Sequence, residues 1–254
     1  MIALQKASIK IKPTTSMKLA LIGYGKMGKA IHEIAKERGH EAVLIIDLAN
    51  QDELTIANIQ KADVAIEFTS PHTAFNNVLF CLNNHVPVVC GSTGWVEKID
   101  EAKQVAVENK TGFIVASNFS VGVNIFFEVN KRLAQLMSHH TEYDVQLKEI
   151  HHTAKKDAPS GTAITLAEQV MESVTRKTAW VNEAATNPCQ LSIMSERIDP
   201  APGTHYVKYS SSIDDIEIIH TAHNRTGFAL GAVLAAEFLK GKEGFFGMKE
   251  VLNL

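Results

Sequence analysis

A glycine-rich turn between a short apolar strand and a helix constrains the fold of this chain more than any other feature. Residues 18–22 have the composition of a buried strand and run directly into Gly23–Gly28, which reads GYGKMG. A helical apolar pattern follows, and a second apolar strand over 42–46 ends at Asp47. This is the G-x-G-x-x-G pattern in its required strand–turn–helix context, with an acid about 20 residues further on. It predicts the first βαβ unit of a Rossmann-type parallel sheet.

The three glycines of this turn have different roles in binding a dinucleotide. Gly23 allows the tight turn, Gly25 lets a pyrophosphate approach the backbone, and Gly28 lets helix and strand pack closely. Asp47 is placed to bond the ribose hydroxyls. Small residues used only for packing would explain the glycines, but the βαβ context and the acid favour cofactor binding. The predicted cofactor-binding residues of this segment are Gly23, Gly25, Lys26, Met27, Gly28 and Asp47.

Strands and helices continue to alternate up to residue 117. Apolar strands are predicted over 64–68, 86–90 and 113–117, and Ser70-Pro71 is predicted to cap and start the helix after the first of these. Such alternation favours a parallel sheet covered on both faces, with ligands beyond the carboxyl ends of the strands. The residues expected there are Phe68, Thr69, Gly91, Ser92 and Thr93.

The pattern changes after residue 120. Residues 143–152 alternate between inward and outward positions with a period of two, which is typical of a strand buried on one face. Later strands over 191–198, 205–211 and 216–223 are joined by short turns, which predicts a mixed or antiparallel sheet. An open sheet face needs cover, so we expect this sheet to mediate oligomerisation.

These patterns predict an α/β chain with two domains. The first is a Rossmann-type parallel sheet domain, and the second is an α+β domain with a mixed or antiparallel sheet. We assign residues 17–120 and 226–254 to dinucleotide binding, 121–225 to substrate binding and oligomerisation, and 1–16 to a dispensable N-terminal extension.

Composition excludes several other classes of protein. A formal net charge of −3 over 254 residues gives no reason to expect nucleic-acid binding. No apolar run reaches the length needed to cross a bilayer. Cys81, Cys90 and Cys189 have no paired spacing, which favours a reducing cytoplasm and predicts no metal site.

The segment 149–163, EIHHTAKKDAPSGTA, carries the densest chemistry. Histidine titrates near neutral pH, lysine suits an anion, and a helix start offers unpaired N–H groups. Together they predict a pocket for a small carboxylate with a proton donor at its edge. The alternatives are that the two histidines form a solvated rim and that Ser160 is only a helix N-cap. A metal held by the histidines is not predicted, because they form no recognisable ligand motif.

This segment, with Ala116–Asn124 and Gly91–Gly94, resembles the 4-hydroxy-tetrahydrodipicolinate reductase (dihydrodipicolinate reductase) family over residues 17–254. The resemblance implies NAD(P)H-dependent reduction of a small cyclic dicarboxylate, 4-hydroxy-tetrahydrodipicolinate, to tetrahydrodipicolinate with loss of water. It further implies a role in diaminopimelate and lysine biosynthesis, in the cytoplasm. A homotetramer formed through the second sheet is implied as well.

The resemblance also assigns roles to individual residues. The family's proton donor falls on His151 and its catalytic lysine on Lys155. Substrate-binding positions fall on His152, Ser160, Gly161 and Thr162. Positions around the nicotinamide fall on Gly91, Thr93, Asn118 and Phe119, and a family arginine near the substrate or cofactor falls on Arg225.

Two departures from the family pattern bear on cofactor choice. Lys26 stands where many relatives carry arginine, and Leu48 follows Asp47 where relatives that favour NADPH often have arginine. Asp47 would repel a 2′-phosphate and no adjacent cation compensates, so NADH is favoured, with Lys26 able to support some NADPH use.

Two other functions would use the same first half of the chain. Another two-domain Rossmann dehydrogenase, acting on an amino acid or semialdehyde, would leave the His-His-x-x-Lys segment without a role. A non-catalytic nucleotide sensor would need the cofactor crevice but neither a proton donor nor a carboxylate cradle.

Overall fold

The computed structural model describes residues 15–254, which form two compact units. The first unit comprises the described residues up to Phe119 together with Phe228–Asn253, and the second comprises Ser120–Gly227 with Leu254. Of the proposed N-terminal extension, all but Thr15 and Ser16 lies outside the described residues.

The described elements follow one another in a regular order. The strands are β1 (Lys18–Ile22), β2 (Glu41–Ile46), β3 (Val64–Glu67), β4 (Val88–Cys90), β5 (Gly112–Val115), β6 (Asp144–His151), β7 (Ala179–Val181), β8 (Gln190–Arg197), β9 (Gly203–Ser210), β10 (Asp215–Ala222) and β11 (Gly244–Phe246). The helices are α1 (Lys26–Glu37), α2 (Ile56–Ile59), α3 (Ala74–Asn83), α4 (Ile99–Glu108), α5 (Val121–Met137), α6 (Gly161–Ser173), α7 (Thr226–Leu239) and α8 (Met248–Leu252).

The first unit is built on a parallel six-stranded sheet in the order β11-β5-β4-β3-β1-β2. Leu19 and Leu21 of β1 belong to an apolar cluster that includes residues of α1 and α7, whereas Ala20 and Ile22 belong to a cluster that includes residues of α3 and α4. Alternate residues of one strand are therefore buried against helices on both faces, and the predicted Rossmann-type arrangement is confirmed.

The second unit contains a mixed five-stranded sheet in the order β10-β9-β6-β8-β7. Strand β6 pairs in parallel with β8 and antiparallel with β9, as predicted for a mixed sheet. Helices α5 and α6 supply apolar residues to the core on one face, where Val145 and Leu147 of β6 are buried. Glu149 and His151 continue the same buried row, so this unit places a carboxylate and an imidazole at the end of its core.

One predicted helix start was wrong. Helix α3 begins at Ala74 rather than at Pro71, because Ser70 instead forms a turn in which its carbonyl accepts hydrogen bonds from the amides of Thr73 and Ala74. Helix α4 begins at Ile99 after a single 3₁₀ turn over Val96–Lys98. Within residues 15–254, no helix combines the length and the apolar character needed to span a membrane.

Candidate active site

A cleft in the first unit lies where β1, β2 and β3 end. Its volume is about 450 Å³, within the usual range for small-ligand pockets. The cleft is lined by Ile22, Gly23, Tyr24, Gly25, Ile46, Asp47, Leu48, Gln51, Leu54, Phe68, Thr69, Ser70, Thr73 and Asn77. It therefore brings together five of the residues predicted for the cofactor: Gly23, Gly25, Asp47, Phe68 and Thr69.

The glycines of the first turn have different surroundings. Gly23 has a φ of +95°, and a Cβ there would lie 2.2 Å from the carbonyl oxygen of Phe68. A Cβ at Gly28 would lie 2.1 Å from the carbonyl oxygen of Gly23. By contrast, a Cβ at Gly25 would meet no atom within 4 Å. Two of the glycines are therefore required by the fold, while Gly25 leaves open space beside the backbone.

The acidic end of β2 is held in a defined turn at the edge of the cleft. The amide of Asp47 donates to Oδ1 of Asn50 at 2.7 Å, and the amide of Leu48 donates to the Asp47 carboxylate at 2.8 Å. Leu48 is 87% exposed. Among the described residues that line the cleft, none is lysine or arginine. The one charged side chain among these described lining residues is therefore that of Asp47.

A buried carboxylate that the sequence motifs do not predict supports the floor of this cleft. Glu67 ends β3, is fully buried, and accepts hydrogen bonds from the amide and hydroxyl of Thr69 and from Sγ of Cys90. The hydroxyl of Ser92 also accepts from the Thr69 amide, at 2.8 Å. Burial and the nearby Glu67 charge both raise the pKa of the Cys90 thiol, which therefore stays protonated. Glu67 thus connects the loop after β3 with Cys90, the last residue of β4.

The aromatic wall of the cleft depends on Gly91. A Cβ at Gly91 would lie 2.1 Å from the ring of Phe68, so only glycine leaves room for that ring. The rings of Phe68 and Phe119 pack at a centroid distance of 5.6 Å. Gly91 and Phe119, two of the positions predicted to lie around the nicotinamide, therefore shape the first unit by packing.

The other predicted cofactor residues do not line the cleft. Lys26 and Thr93 are exposed, Met27 packs against the core cluster below α1, and Ser92 is buried. Asn118 is half-buried in the segment after β5, and Arg225 is exposed in the second unit, between β10 and α7.

In the second unit, Glu149 is the centre of a buried polar cluster. Its two carboxylate oxygens accept hydrogen bonds from the Ser160 amide at 3.1 Å, and Oε1 also accepts from the Ser195 hydroxyl at 2.8 Å. The register of the sheet explains these neighbours, because Glu149 pairs with Ser195 of β8 on one side and with His205 of β9 on the other. Although burial raises the pKa of Glu149, these hydrogen bonds and the nearby His151 hold it below its ordinary value.

Two imidazoles and a guanidinium surround that carboxylate. Nδ1 of His151 and Nε2 of His205 lie 3.5 and 3.7 Å from Oε2 of Glu149, and Nη1 of Arg197 lies 3.5 Å from Oε1. The two imidazole rings meet edge to face at 5.1 Å. Burial, together with the His151 charge, lowers the pKa of His205 to about 4. His205 is therefore neutral near pH 7 and leaves His151 as the ring that changes its charge more easily.

Lys155 and the start of α6 complete the candidate site of this unit. Nζ of Lys155 lies 2.7 and 2.6 Å from the two carboxylate oxygens of Asp157, and its side chain is 21% exposed. Ser160 is the N-cap of α6, because its hydroxyl accepts a hydrogen bond from the Ala163 amide at 3.2 Å. Gly161 is exposed at the first turn. The helix start is a suitable place for an anion.

His152 differs from His151 in its surroundings. It follows the last residue of β6 and is half-buried, whereas His151 is buried. Thr162 is half-buried in the first turn of α6. Of the residues predicted to bind substrate, Ser160 is bonded directly to the Glu149 cluster, through its amide to Glu149 and through its hydroxyl to Nε2 of His205 at 3.2 Å.

The loop that carries Lys155 is tied to β8. Arg197 donates to the carbonyl oxygens of Lys155 at 3.3 Å and of Asp157 at 2.6 Å. The hydroxyl of Thr153 donates to Asp199 at 2.6 Å. Arg197 lies outside the motifs of the sequence, because its role depends on pairing between strands that are remote in the chain.

The cluster has a composition that can also bind metals. Possible ligand atoms of Glu149, His151 and His205 lie within 4.8 Å of one another. However, both oxygens of Glu149 already accept the Ser160 amide, so we interpret the cluster as a hydrogen-bonded group of charges.

A parallel sheet with a glycine-lined cleft, together with a second unit that carries a histidine, a lysine and a helix start, is typical of the nucleotide-dependent oxidoreductases. Family models for the N-terminal and C-terminal parts of dihydrodipicolinate reductase match residues 17–119 and 122–252. The chain belongs to the dihydrodipicolinate reductase family, as its sequence motifs indicated.

Individual relatives match 81% or more of the chain. A 4-hydroxy-tetrahydrodipicolinate reductase from Christiangramia forsetii is 47% identical over 239 residues, which cover 93% of this chain and 98% of the relative. One from Methanoregula boonei is 34% identical, with coverage of 81% and 80%. The solved structure of a dipicolinate-bound dihydrodipicolinate reductase from Paenisporosarcina sp. TG-14 is 25% identical, covers 93% of this chain and 99% of that one, and has a TM-score of 0.72.

Proposed function

We propose that this chain reduces 4-hydroxy-tetrahydrodipicolinate to tetrahydrodipicolinate with NAD(P)H, releasing water, in diaminopimelate and lysine biosynthesis. The observation that carries the proposal is the match to relatives of that name, which extends over 98% of one of them. The same match favours this function over the two alternatives, another two-domain Rossmann dehydrogenase and a non-catalytic nucleotide sensor. The first unit would bind the cofactor, and the second would bind the substrate.

The overall reaction consumes one hydride and one proton and releases one water molecule. The nicotinamide supplies the hydride, and the chain must supply the proton and neutralise a dicarboxylate. His151 is the proposed proton donor, because it is a buried imidazole beside a carboxylate. Lys155 and the amides at the start of α6 are proposed to hold a substrate carboxylate. His152 and Arg225 are proposed to contact the substrate or cofactor.

The residues of the first-unit cleft fit a dinucleotide. Gly25 leaves space beside the backbone for a pyrophosphate, and the Asp47 carboxylate is suited to ribose hydroxyls. Phe68 and Thr69 are proposed to support the cofactor at the ends of the next strands, with Gly91 and Phe119 shaping the wall.

The proposal is tested by mixing purified protein with NADH or NADPH and freshly generated substrate. We expect cofactor oxidation that depends on the substrate. Lys155→Ala should abolish most of it, whereas Lys156→Ala, which removes an exposed charge from the next residue, should not. Oxidation that does not depend on substrate, or equal losses in the two variants, would contradict the proposal.

NADH is the proposed preferred cofactor. The Asp47 carboxylate would repel a 2′-phosphate, and the exposed Leu48 provides no compensating cation. Leu48→Arg should lower the KM for NADPH about tenfold relative to that for NADH, which corresponds to about 1.4 kcal/mol. Val107→Arg adds the same charge at an exposed position of α4 and serves as the control. A wild-type protein that prefers NADPH would refute the assignment.

A homotetramer formed through the second sheet is the proposed assembly. The sheet face opposite α5 and α6 presents a row in which Ile219, Tyr206, Lys148 and Met194 are register neighbours. Ile219 is 51% exposed and Met194 is 41% exposed. Light scattering after size exclusion should give a tetramer, and Ile219→Lys should dissociate it. The free cysteines support a cytoplasmic location.

A further inference from the structure

Glu149 is a buried carboxylate with a specific set of partners. It lies on β6, the central strand of its sheet, and its side chain is 0% exposed. A charge in such a place is costly unless hydrogen bonds and opposite charges compensate for its lost hydration. The Ser160 amide and the Ser195 hydroxyl compensate for part of it.

One partner whose ring nitrogen remains without a hydrogen bond is the imidazole of His151. Within the described part of the chain, its Nδ1 atom is buried without a hydrogen-bond partner, and Oε2 of Glu149 lies 3.5 Å away. A shift of a few tenths of an ångström would turn this ion pair into a charge-assisted hydrogen bond. Such a bond favours the protonated imidazole, in which both ring nitrogens are donors.

The charged groups around His151 act in opposite directions. Burial is the strongest influence and lowers its pKa. Glu149 opposes that effect most strongly, and Asp157 opposes it too, whereas Lys155 and Arg197 lower the pKa further. His205, which packs against the ring from β9, is itself difficult to protonate. Loss of the Glu149 charge would therefore leave mainly groups that disfavour the imidazolium.

The Nε2 side of the His151 ring faces the backbone at Gly203. A Cβ there would lie 3.1 Å from Nε2 of His151, so glycine keeps space beside this nitrogen. With Nδ1 directed at Glu149, Nε2 is the ring atom available to a substrate.

We propose that Glu149 is a positioning residue for the reaction, which holds Nδ1–H of His151 so that Nε2 delivers the proton. The inference rests on the proposed function. After the proton leaves Nε2, the neutral ring keeps its Nδ1–H bond to Glu149 and regains a proton from solvent. Because the same carboxylate binds the Ser160 amide, one side chain sets both the proton donor and the helix start that receives the substrate carboxylate.

Glu149→Gln tests this proposal, because glutamine keeps the shape and can still accept the Ser160 amide but has no charge. We expect the alkaline limb of the pH profile of kcat/KM to move down by about 1 to 2 pH units. At pH values well above the alkaline limbs of both the wild type and the variant, this shift reduces kcat/KM about 10- to 100-fold. The loss should disappear as the pH is lowered. A loss of equal size at every pH would overturn the proposal, since it would indicate a structural role only.

Glu196→Gln is the matched control. Glu196 lies on β8 next to the cluster, but its side chain is 41% exposed and pairs with Lys148 at 2.7 Å. The same substitution there should leave the pH profile in place. Glu149→Asp provides a second variant if the glutamine variant does not fold, and it should retain the alkaline limb because it keeps the charge.

A readout without substrate separates this inference from the proposed function. NMR titration of ¹³C-labelled histidine, with His151→Asn used to assign the signal, should give a lower pKa for His151 in Glu149→Gln than in the wild type. An unchanged His151 titration would overturn the positioning role even in an active enzyme. A shifted titration in a protein that does not turn over the substrate would instead refute the proposed function.

Discussion

Replacing each of two glycines in the first turn by alanine should separate the requirements of the fold from those of the cofactor. At Gly28, the new Cβ would lie 2.1 Å from the carbonyl oxygen of Gly23, whereas real Cβ contacts essentially never fall below 3.0 Å. The backbone would have to move by about 1 Å in a close-packed strand–helix contact, which typically costs about 1–3 kcal/mol. For a chain of this size, we expect the melting temperature to fall by about 2–12 °C.

Gly25→Ala should behave in the opposite way. Its Cβ would meet no protein atom within 4 Å, and its φ of −76° is accessible to alanine. The cost to stability is therefore limited to that of a changed N-cap, about 0.5–1 kcal/mol. The methyl group would instead occupy the space where a pyrophosphate approaches the backbone. We expect the affinity for the cofactor to fall at least about tenfold, or about 1.4 kcal/mol.

Thermal unfolding without cofactor and calorimetric titration with NADH measure the two effects separately. The expected pattern is a fall in melting temperature of about 2–12 °C for Gly28→Ala with little change in NADH affinity, and weaker NADH binding with a smaller fall of about 1–4 °C for Gly25→Ala. If Gly28→Ala melts at the same temperature as the wild type, the close contact does not constrain the fold. If Gly25→Ala binds NADH normally, the cleft is not the dinucleotide site.

Further variants test the chemistry of the second unit and the acid stability of the first. His151→Gln and Lys155→Ala should each lower kcat/KM about 10²–10⁴-fold, and the double variant should lose less than the product, as steady-state kinetics will measure. Hydrogen bonds from Arg38 and His40 outweigh burial and hold the pKa of Glu237 below its ordinary value. This contribution to stability is present above the unfolded pKa of about 4.3 and is lost as the pH falls through the lower folded value. Glu237→Gln should therefore lower the free energy of unfolding by about 2 kcal/mol near neutral pH. As the pH falls, the stability of the variant should decrease less than that of the wild type, as urea unfolding at several pH values will show.

The sequence predicts the first turn well because its signals are local. The strand over Lys18–Ile22 was predicted with the bounds that the structure has. Glycine spacing and helical periodicity act within a few residues of one another, so no remote contact is needed to interpret them. By contrast, β11 has three residues and pairs with β5 across more than a hundred positions, and such a short strand has no usable period.

The buried acids were harder to predict for a different reason. The alternation of β6 correctly placed Glu149 on the inward face with His151. That pattern carries no information about what covers a buried carboxylate. Glu67 was missed in the same way, since its partner Cys90 is on a neighbouring strand 23 residues further along the chain. Sequence periodicity identifies which side of a strand is buried but not which donors meet it there.

The register of the second sheet determines which groups surround Glu149, and the sequence motif around residues 149–163 does not. Glu149 faces Ser195 and His205 because β6 pairs in parallel with β8 and antiparallel with β9. Side chains alternate along a strand, so a slip of one residue in either pairing would turn His205 or Ser195 away from the carboxylate. Glu149 would then lose one of the groups that compensate for its burial, which is unfavourable for a charge in the core. The cluster therefore disfavours the wrong register, so the arrangement around the proposed proton donor and the pairing of the sheet depend on the same residues.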